Sequence, residues 1–171
     1  MKKSFYIIIR GPLGCGKTTI AKRLAKVLDA AYFAVDRVLA EFNLEKDKED
    51  SYIAQKSFFK ANEIIAARAK KFLEKGKTVN VDGNFYWKST IEDLIAKLKY
   101  DHQVFTLKAS IKTCIARDKE RHKPHGETAT RAVYKKSTSF DYGEVIDTEN
   151  KPIDQTVKII KKKIIRTEAF K

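Results

Sequence analysis

Residues 5–19 read FYIIIRGPLGCGKTT, and this stretch decides the fold. Phe5–Ile9 is a short continuous apolar run with three successive isoleucines. That pattern is expected of a strand buried on both faces, as in a parallel sheet. Gly11–Thr18 then matches G-x-x-x-x-G-K-[ST], with Gly11, Gly16, Lys17 and Thr18 in the defining places. Lys17–Asp29 reads as a helix: Ile20, Leu24 and Leu28 recur at i, i+4 and i+8, with Ala21 and Ala25 beside them. A strand before the motif and an amphipathic helix after it are the context in which it binds phosphate.

The residue types follow from that task. Glycines let the backbone fold back so that successive N–H groups across Gly11, Pro12, Leu13, Gly14, Cys15 and Gly16 converge on phosphate oxygens, proline alone lacking the donor. The helix that follows presents free N–H groups and partial positive charge. Lys17 reaches β- and γ-phosphates, the Thr18 hydroxyl is suited to Mg2+, and Thr19 can bond an α-phosphate. ATP and Mg2+ are therefore the expected nucleotide and ion. Cys15 is expected to lend only its backbone N–H; the other reading is a redox-sensitive thiol.

Outward from this core, strand and helix signals alternate, which argues for an α/β domain with a parallel sheet covered on both faces. Further strands are read at Tyr32–Val35, Thr78–Val81, Gln103–Leu107 and Glu144–Ile146. Asn43–Asp50 reads as a charged surface loop. Ser51–Lys75 reads as a helix with Phe58, Ile65, Phe72 and Leu73 on its apolar side and Gly76 to end it. Ser89-x-x-Glu92 reads as a capping box before Ile91, Leu94, Ile95 and Leu98. Ser110 is the expected cap of a helix to about Arg121, His122–Thr130 a polar loop, and the last helix carries Ile153, Val157, Ile160 and Ile164.

Composition sets the bounds. At 171 residues and 43% apolar content, the chain is long enough for one packed domain of residues 1–171. No run nears the roughly 20 apolar residues of a membrane span. The apolar run after Lys2 and Lys3 is cut by Arg10 and is too short for a signal-peptide core. The expectation is a soluble cytoplasmic protein without membrane partners. Two cysteines, Cys15 and Cys114, have neither metal nor disulfide-framework spacing. The formal charge of +14 reads either as a lysine-rich solvated surface or as attraction to an anion, nucleic acid included.

With GPLGCGKT in place, the chain resembles the small P-loop kinases of the nucleoside monophosphate, shikimate and polynucleotide kinase type, and most of all the short AAA-labelled P-loop kinase-like proteins. The resemblance spans nearly the whole chain. It implies a three-layer fold with a five-stranded parallel sheet in the order 2-3-1-4-5. It also implies a substrate-binding helical region at about 36–76 and a lid at about 117–140. In similar kinases an Asp after the second strand faces the acceptor hydroxyl or holds magnesium through water; Asp36 stands there, its alternative being an N-cap for Val38–Phe42. Arg37 beside it is a candidate for binding an anionic acceptor.

Asp82-Gly83-Asn84 closes the third main strand and resembles a weak Walker B that would order magnesium and touch the acceptor; the alternative is a plain turn. Shikimate kinases carry three glycines here, and this chain does not. Phe85, Tyr86 and Trp87 read either as a pocket wall or as core. Arg117 and Arg121, at i and i+4, share a helix face and in the family serve the lid, where they neutralise the transferring phosphoryl group. Their alternative is a salt-bridged surface with Asp118 and Glu120. Arg131, Lys123 and His125 are further lid candidates. In similar kinases the loop at Asp147–Pro152 lies against adenine.

The expected function is transfer of the ATP γ-phosphate to a small metabolite, a nucleoside or nucleotide, or a 5′-hydroxyl nucleic acid end. A nucleotide-binding regulatory NTPase without transfer is the alternative, and a basic nucleic-acid-binding module a third class.

Overall fold

The computed structural model describes residues 4–169; Met1, Lys2, Lys3 and the last two residues of the domain expected over 1–171 lie outside the described residues. In chain order the first elements are β1 (Phe5–Arg10), α1 (Lys17–Leu28), β2 (Ala31–Ala34), α2 (Val35–Glu41), a short 3-10 turn (Leu44–Lys46), β3 (Lys48–Glu49) and β4 (Tyr52–Ile53). Then follow α3 (Gln55–Leu73), β5 (Val79–Gly83), α4 (Lys88–Leu98) and β6 (Asp101–Lys108). The last are α5 (Ile111–Lys119), α6 (Glu127–Ser137), β7 (Glu144–Asp147) and α7 (Ile153–Ala169).

All of β1 is buried, as its isoleucine run requires. It pairs in parallel with β5 on one side and β6 on the other. β2 joins the outer edge of β5, and β7 that of β6, so the main sheet runs β2-β5-β1-β6-β7. Numbered by main strands, this is the expected order 2-3-1-4-5.

Side chains alternate across β1 and so feed two cores. Tyr6 and Ile8 pack with residues of α2, α3 and α4, together with Val133 of α6. Ile7 and Ile9 pack with Ile20 and Leu24 of α1, Cys114 of α5, and Val157, Ile160 and Ile164 of α7. Each fully buried isoleucine contributes about 1.5–3 kcal/mol relative to exposure. Among the described residues no helix is long and apolar enough to cross a membrane.

Several sequence expectations are corrected here. The helix expected from Ser51 begins at Gln55, because Asp50 and Ser51, at φ 51° and 67°, form the turn joining β3 to β4. Phe72 is 38% exposed and lies off the buried stripe of α3. Ser89 and Glu92 make no capping box: α4 starts one residue before Ser89, after Trp87, with no side-chain cap, and Ser89 Oγ accepts from Gln55 Nε2 at 2.6 Å. The loop expected over His122–Thr130 ends at Gly126, the N-cap after which α6 begins at Glu127. Asp36 is no N-cap, since α2 starts at Val35 behind Ala34. Ser110 does cap α5, accepting from Thr113 N at 3.1 Å.

Arg10, the last residue of β1, is fully buried. Its guanidinium donates to Ser137 O at 2.5 Å and Phe140 O at 3.1 Å, and to Thr106 Oγ1 at 3.1 Å. It also lies 4.2 Å from the Phe140 ring centroid. Burial lowers its pKa to about 10, with Asp141 and then Cys15 opposing. The carbonyls at the end of α6 carry the negative end of the helix dipole, which suits a cation there. Arg10→Met should leave both carbonyls without this donor and lower the unfolding free energy by about 2–3 kcal/mol; urea titration measures this, and an unchanged midpoint would contradict it.

Candidate active site

The loop from Gly11 to Gly16 leaves β1 and turns into α1. Gly14 has φ 79° and Gly16 φ 90°, a region L-residues rarely adopt. A Cβ on Gly14 would sit 2.2 Å from Cys114 O, so the loop lies directly on α5. Gly16 is the N-cap of α1; no side chain caps this end and no acidic residue occupies its first turn. The helix therefore offers N–H donors to an external anion. Pro12, Leu13 and Cys15 are buried. Lys17 is 4% exposed, at the first position of the helix. The Cys15 thiol is buried and pushed up by that burial, which disfavours the reactive thiolate. Thr19 is exposed and Thr18 half-buried.

The next strand supplies a carboxylate to this corner. Asp82 of β5 is buried and accepts from Thr18 Oγ1 at 2.7 Å and from Tyr32 OH at 2.8 Å. Asp82 and Gly83 belong to the strand and Asn84 is buried, so the segment is no surface turn. A Cβ on Gly83 would lie 2.8 Å from that of Val35; its absence lets the start of α2 settle over β5. Asp36 is thereby brought to Asn84, whose Nδ2 lies 3.3 Å from Asp36 Oδ2.

Asp36 is open to water within the cleft, yet protein atoms crowd around it. That crowding pushes its carboxyl above the usual range; Lys17 pulls it back, Asp82 pushes it up, and His125 and Arg121 pull it down. Arg37 is exposed on α2. Thr18 and Asp82, in contact with each other, and the nearby Asp36 carry the oxygen donors of this corner that could hold a hard cation. No group of three or more His, Cys, Asp or Glu suited to metal occurs among the described residues.

Arg117 belongs to α5, but the helix ends at Lys119 and Arg121 lies beyond it, so the expected shared helix face does not form and the two arginines have separate surroundings. Arg117 donates through Nη2 to Thr148 O at 2.9 Å and through Nη1 to Thr148 Oγ1 at 3.3 Å. Thr148 Oγ1 in turn lies 3.2 Å from Cys15 O and 3.0 Å from Lys108 O. Arg117 thus braces the loop after β7 against the glycine loop. Arg121 is on the open side, 3.7 Å from Asp118 and beside His125. Asp118 is itself buried and accepts from the backbone N–H of His125 at 3.0 Å and of Gly126 at 2.9 Å, which joins α5 to α6. Burial pushes its carboxyl up, but the His125 ring and these two N–H groups outweigh that and hold it below the usual range. Lys123 is exposed, and Arg131 pairs with Glu127 on α6.

Tyr32, Asp118 and Thr148 were not legible as site residues. Tyr32 lies four residues before Asp36, and only strand pairing brings its hydroxyl to Asp82. Thr148 lies in the loop the resemblance marked, but nothing in the sequence gives its bond to Cys15.

A family model described as an AAA domain matches residues 7–140. No curated protein matches the chain. Among solved structures, a gluconokinase from Sinorhizobium meliloti 1021 is 14% identical with a TM-score of 0.71, covering 92% of this chain and 90% of its own. A sugar kinase from Janibacter sp. HTCC2649 is 14% identical with a TM-score of 0.73, covering 92% of each chain. A shikimate kinase from Acinetobacter baumannii in complex with shikimate is 18% identical with a TM-score of 0.61, covering 97% of this chain and 96% of its own. At these identities the likeness concerns the fold, which is that of the small P-loop kinases.

Gly14→Ala should abolish detectable ATP binding by calorimetry, since the added carbon meets the Cys114 carbonyl. An unaltered affinity would show that the loop does not depend on this close approach.

Proposed function

Because the chain belongs to the AAA domain family, we propose that it is an ATP- and Mg2+-dependent phosphotransferase that moves the γ-phosphate to an acceptor hydroxyl. The observation that carries this reading is the convergence of two carboxylates, Asp82 and Asp36, on the end of the sheet where the uncapped helix and Lys17 would hold a triphosphate.

In this reading Gly11–Gly16 and the first turn of α1 bind the phosphates through N–H groups, and Lys17 neutralises charge at the β- and γ-phosphates. Thr18 and Asp82 would hold Mg2+, with Asp36 near enough to act through water. That ion would supply charge neutralisation on the phosphate oxygens. Asp36 accepts the proton of the acceptor hydroxyl as its oxygen bonds to phosphorus and the bond to ADP breaks. Arg121, on the open side, is suited to charge spread over the transferring group. Arg117, tied to Thr148, holds the loop that would lie against the nucleotide base. Closure of the segment around α6 excludes water, so that phosphate passes to the acceptor. The substrate-binding region at about 36–76 and the lid at about 117–140 are parts of this same proposal.

ADP release with and without a panel of acceptors tests it. Stimulation by one acceptor supports transfer, whereas steady release that no acceptor changes would favour a regulatory NTPase. Lys17→Ala should lower kcat/KM by at least ~10²-fold. Asp36 must be ionised to take a proton, and its carboxyl lies above the usual range. Activity should therefore fall on acidification at a pH higher than an ordinary aspartate would set. Asp36→Asn should remove that limb and lower kcat by roughly 10²–10⁴-fold; a pH–rate profile unchanged by the substitution would exclude Asp36 as the base.

A further inference from the structure

Beside the segment that follows β5 lies a cavity of about 470 Å³, within the ~300–1,000 Å³ typical of small-ligand sites. Its walls include Tyr52 of β4, Tyr86 and Trp87 after β5, Lys88 of α4, and Lys135 and Lys136 of α6. The rings form a fixed array. Tyr86 packs edge-on against Tyr52 and Trp87, each at 5.7 Å between centroids, and Phe58 backs Tyr86 and Trp87 at 5.2 and 5.8 Å. Tyr52 OH donates to Ala132 O at 3.2 Å, so β4 and α6 meet above the cavity.

Three lysines and no carboxylate line this space. Lys88 is paired with Glu92 at 3.4 Å. Lys135 and Lys136 have no carboxylate partner among the described residues; Lys136 Nζ instead stands 4.8 Å from the Trp87 ring centroid and 5.2 Å from that of Tyr52. The cavity adjoins the reacting corner: Tyr86 is two residues past Asn84, which holds Asp36, and its hydroxyl is pushed up first by burial and then by the Asp36 charge. Lys136 stands over the Trp87 and Tyr52 rings, whereas Asp36 is held at Asn84, so an anion at the lysines and a hydroxyl at Asp36 occupy different ends of the same wall.

We propose that this cavity is the acceptor site, and that it takes a ring-bearing, hydroxylated anion whose phosphate or carboxylate is a different group from the hydroxyl that receives phosphate. The ring lies along Tyr52 and Trp87, the anionic group meets Lys135 and Lys136, and a hydroxyl reaches Asp36. This rests on the phosphotransferase reading for its chemistry, but binding is measurable without ATP. Two sources carry the required chemistry: a nucleoside 3′-phosphate, free or at a 5′-hydroxyl oligonucleotide end, and a cyclic hydroxy acid.

Trp87 is the single tryptophan of the chain, so its fluorescence reports the cavity directly. Adenosine 3′-monophosphate, a 5′-hydroxyl oligonucleotide and shikimate would be titrated in the absence of ATP, beside adenosine (ring without anion) and gluconate (anion without ring). Saturable change of Trp87 emission is expected for at least one of the first three. Its affinity should be at least tenfold tighter than for adenosine or gluconate, and should weaken at least tenfold in Lys135→Ala/Lys136→Ala. Which of the three binds identifies the source. No response from any of them, equal binding of adenosine or gluconate, or an unaffected lysine double variant would each overturn the proposal. Binding that meets these terms without any acceptor-stimulated ADP release would leave the cavity assignment standing and remove the phosphotransferase reading instead.

Discussion

The parallel pairing of β1 between β5 and β6 is the constraint on which the candidate site depends. Its register sets Ile9 opposite Asp82 and Arg10 level with both Gly83 and Thr106. The glycine loop therefore leaves the sheet at the height where β5 ends. From there the first turn of α1 can carry Thr18 to the Asp82 carboxylate. A shift of one residue would turn Asp82 to the opposite face of the sheet. The register is held by hydrophobic burial on both faces of β1, with Tyr6 and Ile8 toward one core and Ile7 and Ile9 toward the other. Apolar packing thus decides where charged groups meet at the edge.

That edge is organised by opposing charge. Lys17 is nearly covered and stands at the positive end of α1, while Asp36 and Asp82 approach from two neighbouring strand ends. Each acid has a neutral partner that fixes it: Tyr32 and Thr18 for Asp82, Asn84 for Asp36. Fixed dipoles of this kind can stabilise developing charge without reorganising during a reaction. The absence of a side chain on Gly83 is what allows the second acid so close to the first. On the far side of the loop, Thr148 touches Cys15, Lys108 and Arg117, so the segment after β7 is tied to the same edge.

How much of this could be read in advance follows from range. The five main strands and the loop rest on local runs, among them three isoleucines, a G-x-x-x-x-G-K-T spacing and a helical stripe, while the strand order came through the family resemblance that the loop carries. Those were legible. The boundaries of α3 and α4 were not, because Asp50–Ser51 adopt a left-handed turn and α4 starts one residue before Ser89. Neither feature alters the apolar periodicity. The start of α6 was hidden by polar residues, since its first turn follows a loop pinned by buried Asp118 rather than by an apolar stripe. Asp36, Asp82 and Asn84 could be named through the family resemblance, by their places at strand ends. Their partners Tyr32 and Thr18 depend on contacts between distant segments that no local pattern encodes, and Arg121 parts from Arg117 because α5 ends at Lys119.

Arg10 adds a polar tie between α6 and the central strand to the apolar contact of Val133. Its guanidinium is clasped by carbonyls at Ser137 and Phe140, at the C-terminal end of α6, while its backbone is locked into the central strand. The other end of α6 hangs from Asp118 through Gly126 and His125 near the surface. Both ends of this helix are consequently held by a buried charge, Arg10 at one and Asp118 at the other. Moving α6 as a rigid body would have to break one of these two clasps, so the central strand and the end of α5 are coupled through it.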